Sequence, residues 1–206
     1  MNILVNEAVP ITPADDLAAD DRELVVAVLA GATGAFERLV RTYQNLCWHI
    51  VLRMVHNPED ARELCQETFL RVHQCLHQYR FESALKSWIG QVAYSLAKRH
   101  LERKRIPLAE PSAHDGDALS LAESIGDGLD LEARHGDEEV LSQLHAAIDA
   151  LPPLQRTLVT LYHLDELPIG EIACITGLAD GTIKSHLFRT RKRLRDMLMP
   201  RLGVAV

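Results

Sequence analysis

The sequence predicts an all-α protein made of two small helical domains joined by an acidic flexible linker. Three observations predict it. Apolar residues recur at intervals of three and four through most of the 206 residues, the period of a helix with one buried face. No strand-like alternation of any length interrupts that period. Between the two helical parts, Leu108 to about Gly136 is rich in Pro, Gly, Ser, Asp and Glu with little sustained periodicity, which is how a solvated linker reads. The apolar content suffices for compact cores in one or two domains.

The elements follow in chain order. Residues 1–19 lack periodicity and are expected to form a loose tail. From Asp21, Leu24, Val25, Val28 and Leu29 make a stripe that Gly31 and Gly34 end. Phe36, Leu39, Val40, Tyr43, Leu46 and Cys47 begin a longer helix that continues through Ile50, Val51, Met54 and Val55. Asn57-Pro58 breaks it, because proline disfavours helix at the residue before it and suits a helix start. From Pro58 to about Tyr79, Ala61, Leu64, Cys65, Thr68, Phe69, Val72 and Leu76 form an apolar stripe, and Asp60, Glu63, Gln66, Glu67 and Gln74 lie off it. That polar side is a solvated face or a docking surface for a basic partner.

Tyr79 to Ser83 reads as a loop, and Leu85, Trp88, Ile89, Val92, Ala93, Leu96 and His100 mark the next helix. Its exposed side is expected to carry Lys86, Ser87, Tyr94, Ser95, Lys98 and Arg99, running into Arg103, Lys104 and Arg105. Rings interleaved with cations suit single-stranded nucleic acid, since an unpaired base stacks while its phosphate meets a charge. The alternative keeps Trp88 and Tyr94 in the core, with the cations serving the helix C-terminus. Ile106-Pro107 ends this first domain, residues 20–106, and 107–136 form the linker. The second domain, 137–206, opens with Val140, Leu141, Leu144 and Ile148 as a stripe. Pro152-Pro153 then separates a helix bearing Leu154, Leu158, Leu161 and Tyr162.

Gly170 to Leu198 carries the strongest functional pattern. Ile169, Ile172, Ala173 and Thr176 line one face of a short helix that Gly177 stops, glycine being at ease in the left-handed cap conformation. Asp180 or Thr182 is expected to cap a second helix, whose buried stripe is Ile183, Leu187, Leu194 and Leu198. Lys184, Ser185, His186, Phe188, Arg189, Lys192, Arg193 and Arg195 are left for its other faces. Such a pair is a helix-turn-helix, whose second helix enters the major groove; an ordinary hairpin with a solvated basic face is the plain alternative. The formal net charge of -7 does not favour a polyanion, but its distribution does. Acids crowd Asp15 to Glu23 and Glu110 to Glu139, and cations crowd Lys98 to Arg105 and Lys184 to Arg201.

Other classes find less support. Cys47, Cys65, Cys75 and Cys174 lack a CxxC pairing and read as reduced, mostly core thiols. His73 and His77 share a helix face, but two histidines so spaced are more often solvated than metal-bound, so no metal or other cofactor is expected. No phosphate loop or nucleophile-base spacing suggests an enzyme. No secretory signal or membrane-length apolar run is evident, and a cytoplasmic location follows.

Three segments in order then resemble a known family. DARELCQETFLRV (Asp60 to Val72) and LKSWIGQVAYSLAKRHLERKR (Leu85 to Arg105) resemble region 2 of extracytoplasmic-function (ECF) sigma factors of the sigma-70 family. LPPLQRTLVTLYHLDELPIGEIACITGLADGTIKSHLFRTRKRL (Leu151 to Leu194) resembles their region 4. The resemblance spans Asp21–Arg105 and Asp137–Leu202. It implies a non-catalytic subunit that binds core RNA polymerase through Asp60, Glu63, Leu64, Gln66, Glu67 and Phe69. It also implies that Leu85 to Arg105 opens the minus-10 element and holds its non-template strand, with Trp88, Ser95, Lys98, Arg99 and Arg103 as DNA-binding candidates. Lys184, Ser185, His186, Phe188 and Arg189 match the readers of the minus-35 element, and Arg193 is a further contact. An anti-sigma factor is implied as a regulator, and the linker is implied to follow the path of nascent RNA. Ser95 stands where many relatives carry asparagine, His186 where arginine is common, and Glu63 where aspartate is usual. A stand-alone helix-turn-helix regulator is the alternative, although no dimerisation element is evident.

Overall fold

The computed structural model describes residues 14–104, 106, 108 and 137–199, and for 14–19 and 137–139 the backbone alone. Among these residues the fold is helical throughout: α1 (Ala14–Leu29), α2 (Ala35–Val55), α3 (Pro58–Cys75) with a 3-10 turn (Leu76–Gln78), α4 (Leu85–Arg103), α5 (Asp137–Asp149), α6 (Pro153–His163), α7 (Ile169–Thr176) and α8 (Asp180–Leu198). The expected linker from 109 to 136 lies outside the described residues.

The breaks fall where local chemistry put them. Pro58 occupies the first turn of α3, and the Asn57 side chain accepts hydrogen bonds from the Glu59 and Asp60 amides at 2.9 and 3.1 Å. An asparagine at this position satisfies donors that the helix cannot. Asn57→Ala is therefore expected to cost about 1 kcal/mol, a fall of roughly 3 °C in melting temperature, whereas Asn57→Asp should melt like the wild type; thermal unfolding followed by circular dichroism checks both. Gly177 closes α7 with φ 73°, its amide bonding to the Ala173 carbonyl at 2.8 Å.

Other expectations are corrected. α1 begins at Ala14, inside the stretch read as tail, because acids such as Asp15 and Asp16 suit the first turn of a helix. α8 has no side-chain cap: Ala179 holds the cap position, and Asp180 is already helical. In α5, Val140 and Leu141 are exposed, and Ala147 and Ile148 carry the burial. Leu29 is exposed at the end of α1. Cys174 is an exposed thiol, whereas burial pushes the Cys65 thiol up to about 11.

The helices before and after the linker do not merely coexist. They share one continuous core, because α4 packs on α7 and α2 packs on α6. Arg156 of α6, only 6% exposed, reaches the C-terminal end of α2. It donates to the Arg53 carbonyl at 3.0 Å and to the Leu151 carbonyl of its own half at 2.9 Å. His56 Nδ1 lies 2.8 Å from its Nη1; arginine can only donate, so that nitrogen accepts. A cation against the unpaired carbonyls at a helix end is favourable twice over, by hydrogen bonding and by the helix dipole.

Candidate nucleic-acid interface and docking face

The outer side of α3 presents Glu63, Gln66 and Glu67 to solvent. Two other docking candidates are placed differently, because their positions on the helix stripe turn them into the core: Leu64 is 3% exposed and Phe69 8%. Asp60 is engaged within the chain, 2.7 Å from Lys104 Nζ and 3.4 Å from His100 Nε2 at the basic end of α4. The Lys104 hydrogen bond, ahead of its other neighbours, holds the Asp60 carboxyl below its ordinary value. The acidic face is thus Glu63 and Glu67, with Asp60 tying α3 to α4.

Beside that face lies a groove of about 660 Å³ between α2 and α3. Phe36, Val40, Trp48, Phe69 and Leu70 line it, with Gln66 and Arg62 among its polar residues. Leu70 is 65% exposed, unusual for a leucine on a helix that buries a full stripe. An apolar trough with Gln44, Asn45, Arg62 and Gln66 as its polar lining suits the apolar face of a helix. The groove was not legible from periodicity, because Phe36, Val40 and Trp48 come from another helix. His73 packs edge-on against Phe36, with ring centroids 4.8 Å apart.

On α4, Ser95, Lys98, Arg99 and Arg103 are exposed. Ser87 and Tyr94, expected beside them, are buried, and Lys86 is 2.9 Å from Glu171 of α7. Trp88 is half-buried under the loop that precedes α4. Its ring centroid lies 5.4 Å from that of Tyr79, and Tyr79 lies 4.7 Å from Phe81. Arg22 of α1 stands over the Phe81 ring at 4.3 Å, a cation–π arrangement. Phe81 has φ 59°, a conformation that bulky residues seldom adopt. The aromatic content of this loop was visible in the sequence as Tyr79 and Phe81; its contact with α1 was not.

In α8, Ile183, Leu187 and Leu194 are buried as the period predicts, Thr190 is buried with them, and Leu198, expected on the same stripe, is only half-buried. Lys184 and Arg189 are exposed, Phe188 is 50% exposed, and Ser185 and His186 are half-buried. Arg193 is also half-buried, whereas Arg191, Lys192 and Arg195 are exposed, Arg195 lying 3.7 Å from Asp196. Burial first, and the Arg189 charge second, hold the His186 imidazole below its ordinary value. It is therefore a neutral hydrogen-bonding group at pH 7. Lys184, Phe188 and Arg189 together make a short exposed strip in the first half of α8, the part of a recognition helix that meets base edges.

Comparisons with known proteins agree with this architecture. Residues 39–106 match the model of sigma-70 region 2, and residues 141–194 match that of sigma-70, region 4. The RNA polymerase sigma-H factor of Pseudomonas aeruginosa is 30% identical over 187 residues, covering 90% of this chain and 97% of that protein. The ECF RNA polymerase sigma-E factor of Escherichia coli K12 is 29% identical over 182 residues, 87% and 95% of the two chains. Among solved structures, CnrH in complex with the cytosolic domain of CnrY superposes with a TM-score of 0.58 at 17% identity, over 86% of this chain and 96% of that one. The sigma factor RpoE in complex with the anti-sigma factor NepR from Bartonella quintana gives 0.54 at 20% identity, over 81% and 98%.

Proposed function

The chain belongs to the ECF sigma factors of the sigma-70 family, non-enzymatic RNA polymerase subunits that direct transcription initiation, and on that premise we propose which of its surfaces does what. Residues 20–106 act as the polymerase-binding and minus-10 unit, and 137–206 as the minus-35 unit. Glu63, Gln66 and Glu67, with the apolar groove beside them, dock on core polymerase. Ser95, Lys98, Arg99 and Arg103 hold the open strand next to Trp88, and Lys184, Ser185, His186, Phe188 and Arg189 read the upstream duplex. The observation that carries this reading is the order of the faces: the exposed acids Glu63 and Glu67 with an apolar groove on α3, a cationic face on α4 and an exposed Lys184–Arg189 strip on α8, in the sequence in which the two family regions match.

Binding energy does the work here. Each half buries little DNA surface alone, and net charge repels DNA at long range, so polymerase supplies the affinity. The test is run-off transcription with purified core RNA polymerase and the full chain. Glu67→Lys, which reverses a charge on the docking face, is expected to weaken core binding about tenfold, within the range for charged contacts across an interface; an unchanged affinity removes Glu67 from that face. A stand-alone regulator would instead bind promoter duplex tightly without polymerase.

Two structural neighbours are solved in complex, one with the cytosolic domain of CnrY and the other with the anti-sigma factor NepR, and an anti-sigma factor is the further partner proposed for this chain. No described helix is long and apolar enough to cross a membrane, and we place the chain in the cytoplasm with its polymerase.

A further inference from the structure

The acids of α3 are not alike. Glu59 has a cation of its own helix, Arg62, at 2.6 Å, and Glu63 and Glu67 face solvent. Asp60 instead reaches the end of α4, where its Oδ2 oxygen lies 2.7 Å from Lys104 Nζ and 3.4 Å from His100 Nε2. One oxygen thus stands before two nitrogens, and His100 Nε2, with no exposed surface, completes no hydrogen bond there. Lys104 follows Lys98, Arg99 and Arg103, four cations within seven residues, on the helix read as strand-facing. Among the described residues, it is the one of the four with a carboxylate within ion-pair distance. Its side chain is nevertheless 48% exposed, so a ligand reaches the cation without entering the core.

The plain account of the contact is a staple between two helix ends, since a carboxylate suits the N-terminus of α3 and cations suit the C-terminus of α4. A half-exposed ion pair adds little to stability, however, and α3 and α4 already pack together and share a core. The larger consequence is for what else Lys104 can bind. A lysine beside a ring nitrogen, both turned to one anionic oxygen, is a donor set that also suits a phosphate of a nucleic-acid backbone. The Asp60 carboxylate holds the position that such a phosphate oxygen would take.

We propose that Lys104 and His100 form a phosphate site for the unpaired promoter strand, and that Asp60 is its resident counter-ion, exchanged for a backbone phosphate when the strand binds. The inference rests on the reading of α4 as the strand-facing helix. The exchange replaces one exposed ion pair by another, and it withholds a cation from nucleic acid until Asp60 lets go. Asp60, Glu63 and Glu67 lie at i, i+3 and i+7 along one side of α3, so a basic partner docked on those acids competes for the same carboxylate and leaves Lys104 to the strand. Docking at α3 and strand capture at α4 then favour one another by the same factor in both directions.

The test titrates the full chain with a mixed-sequence single-stranded DNA over a range of salt concentrations. Asp60→Asn keeps the side-chain shape and removes the charge. It should tighten binding about three- to fivefold, the scale of an exposed ion pair, and steepen the slope of log K against log salt by about 0.7, the value for one more phosphate on a single strand. The gain should need Lys104: in a Lys104→Gln background, Asp60→Asn should change affinity less than about twofold and leave the slope alone. An equal gain in both backgrounds would be a general effect of charge and overturns the proposal. So does the pattern of a mere staple, in which both single variants melt earlier while affinity and slope stay at wild-type values. If Asp60→Asn loses its helical signal, Asp60→Ser carries the same comparison. Arg99→Ala is measured alongside. If it weakens strand binding while Asp60→Asn changes nothing, the counter-ion role fails and α4 remains strand-facing; if neither moves binding, the strand-facing reading falls as well.

Discussion

Arg156→Ala is expected to destabilise the chain by about 3 kcal/mol, the scale for removing one member of a buried charged hydrogen-bond set, and to lower the melting temperature by roughly 10 °C. The guanidinium is buried, and its hydrogen bonds end on two backbone carbonyls and the His56 ring. Truncation leaves the carbonyls of Arg53 and Leu151 without that partner and opens a cavity between α2 and α6. Arg156→Lys is expected to recover only part of the loss, because an ammonium cannot hold the planar fork that reaches all three acceptors. Arg156→Met fills the volume without the bonds, and a loss nearly as large as that of alanine would assign the effect to polarity and not packing. Calorimetry distinguishes the two. A change of less than about 1 kcal/mol in Arg156→Ala would mean that the contact between the halves contributes little in solution.

Arg189→Ala is expected to reduce initiation from a cognate promoter about tenfold, in line with the ~1–3 kcal/mol carried by a good base-edge contact. It should also change the ranking of promoters that differ at the upstream element. Lys192→Ala differs in kind: as a contact to phosphate it should lower binding to all promoters alike and reduce the salt dependence by about one charge. Transcription from a panel of upstream variants, with salt titrations of the reconstituted holoenzyme, separates the two outcomes. Equal losses across the panel for both substitutions would remove Arg189 from readout.

Most of the helices were legible because each signal was local. The stripes of α2, α3, α4 and α8, the Asn57-Pro58 start and the Gly177 stop all act within a few residues. The exposed set at the start of α8 was legible for the same reason: once Ile183, Leu187 and Leu194 face inward, Lys184 and Arg189 must face outward. Long-range packing was not. Ile175 lies off the stripe assigned to α7 and is nevertheless buried, because α4 covers it. Arg156 looks in the sequence like any solvated cation between leucines, and only the end of α2, a hundred residues earlier, explains its burial. Tyr94 and Ser87 were expected on the open side of α4 for a related reason: the helical period does not say how many sides of a helix are covered. α4 meets α2, α3 and α7, and little of its circumference remains free.

Gly90 places opposing demands on the same residue. In an isolated α4 it would only be a cost, about 1 kcal/mol relative to alanine in a helix interior. Against α7 the missing methyl is what allows contact, and two of the three atoms crowding a Cβ belong to Ile175. Alanine at position 90 should favour whichever form lacks α7 overhead. The first half alone would gain helix propensity against a small shift of the Ile50 side chain while the cohesion between the halves fell, so a single methyl group becomes a gauge of how much helix propensity the chain gives up to remain folded upon itself.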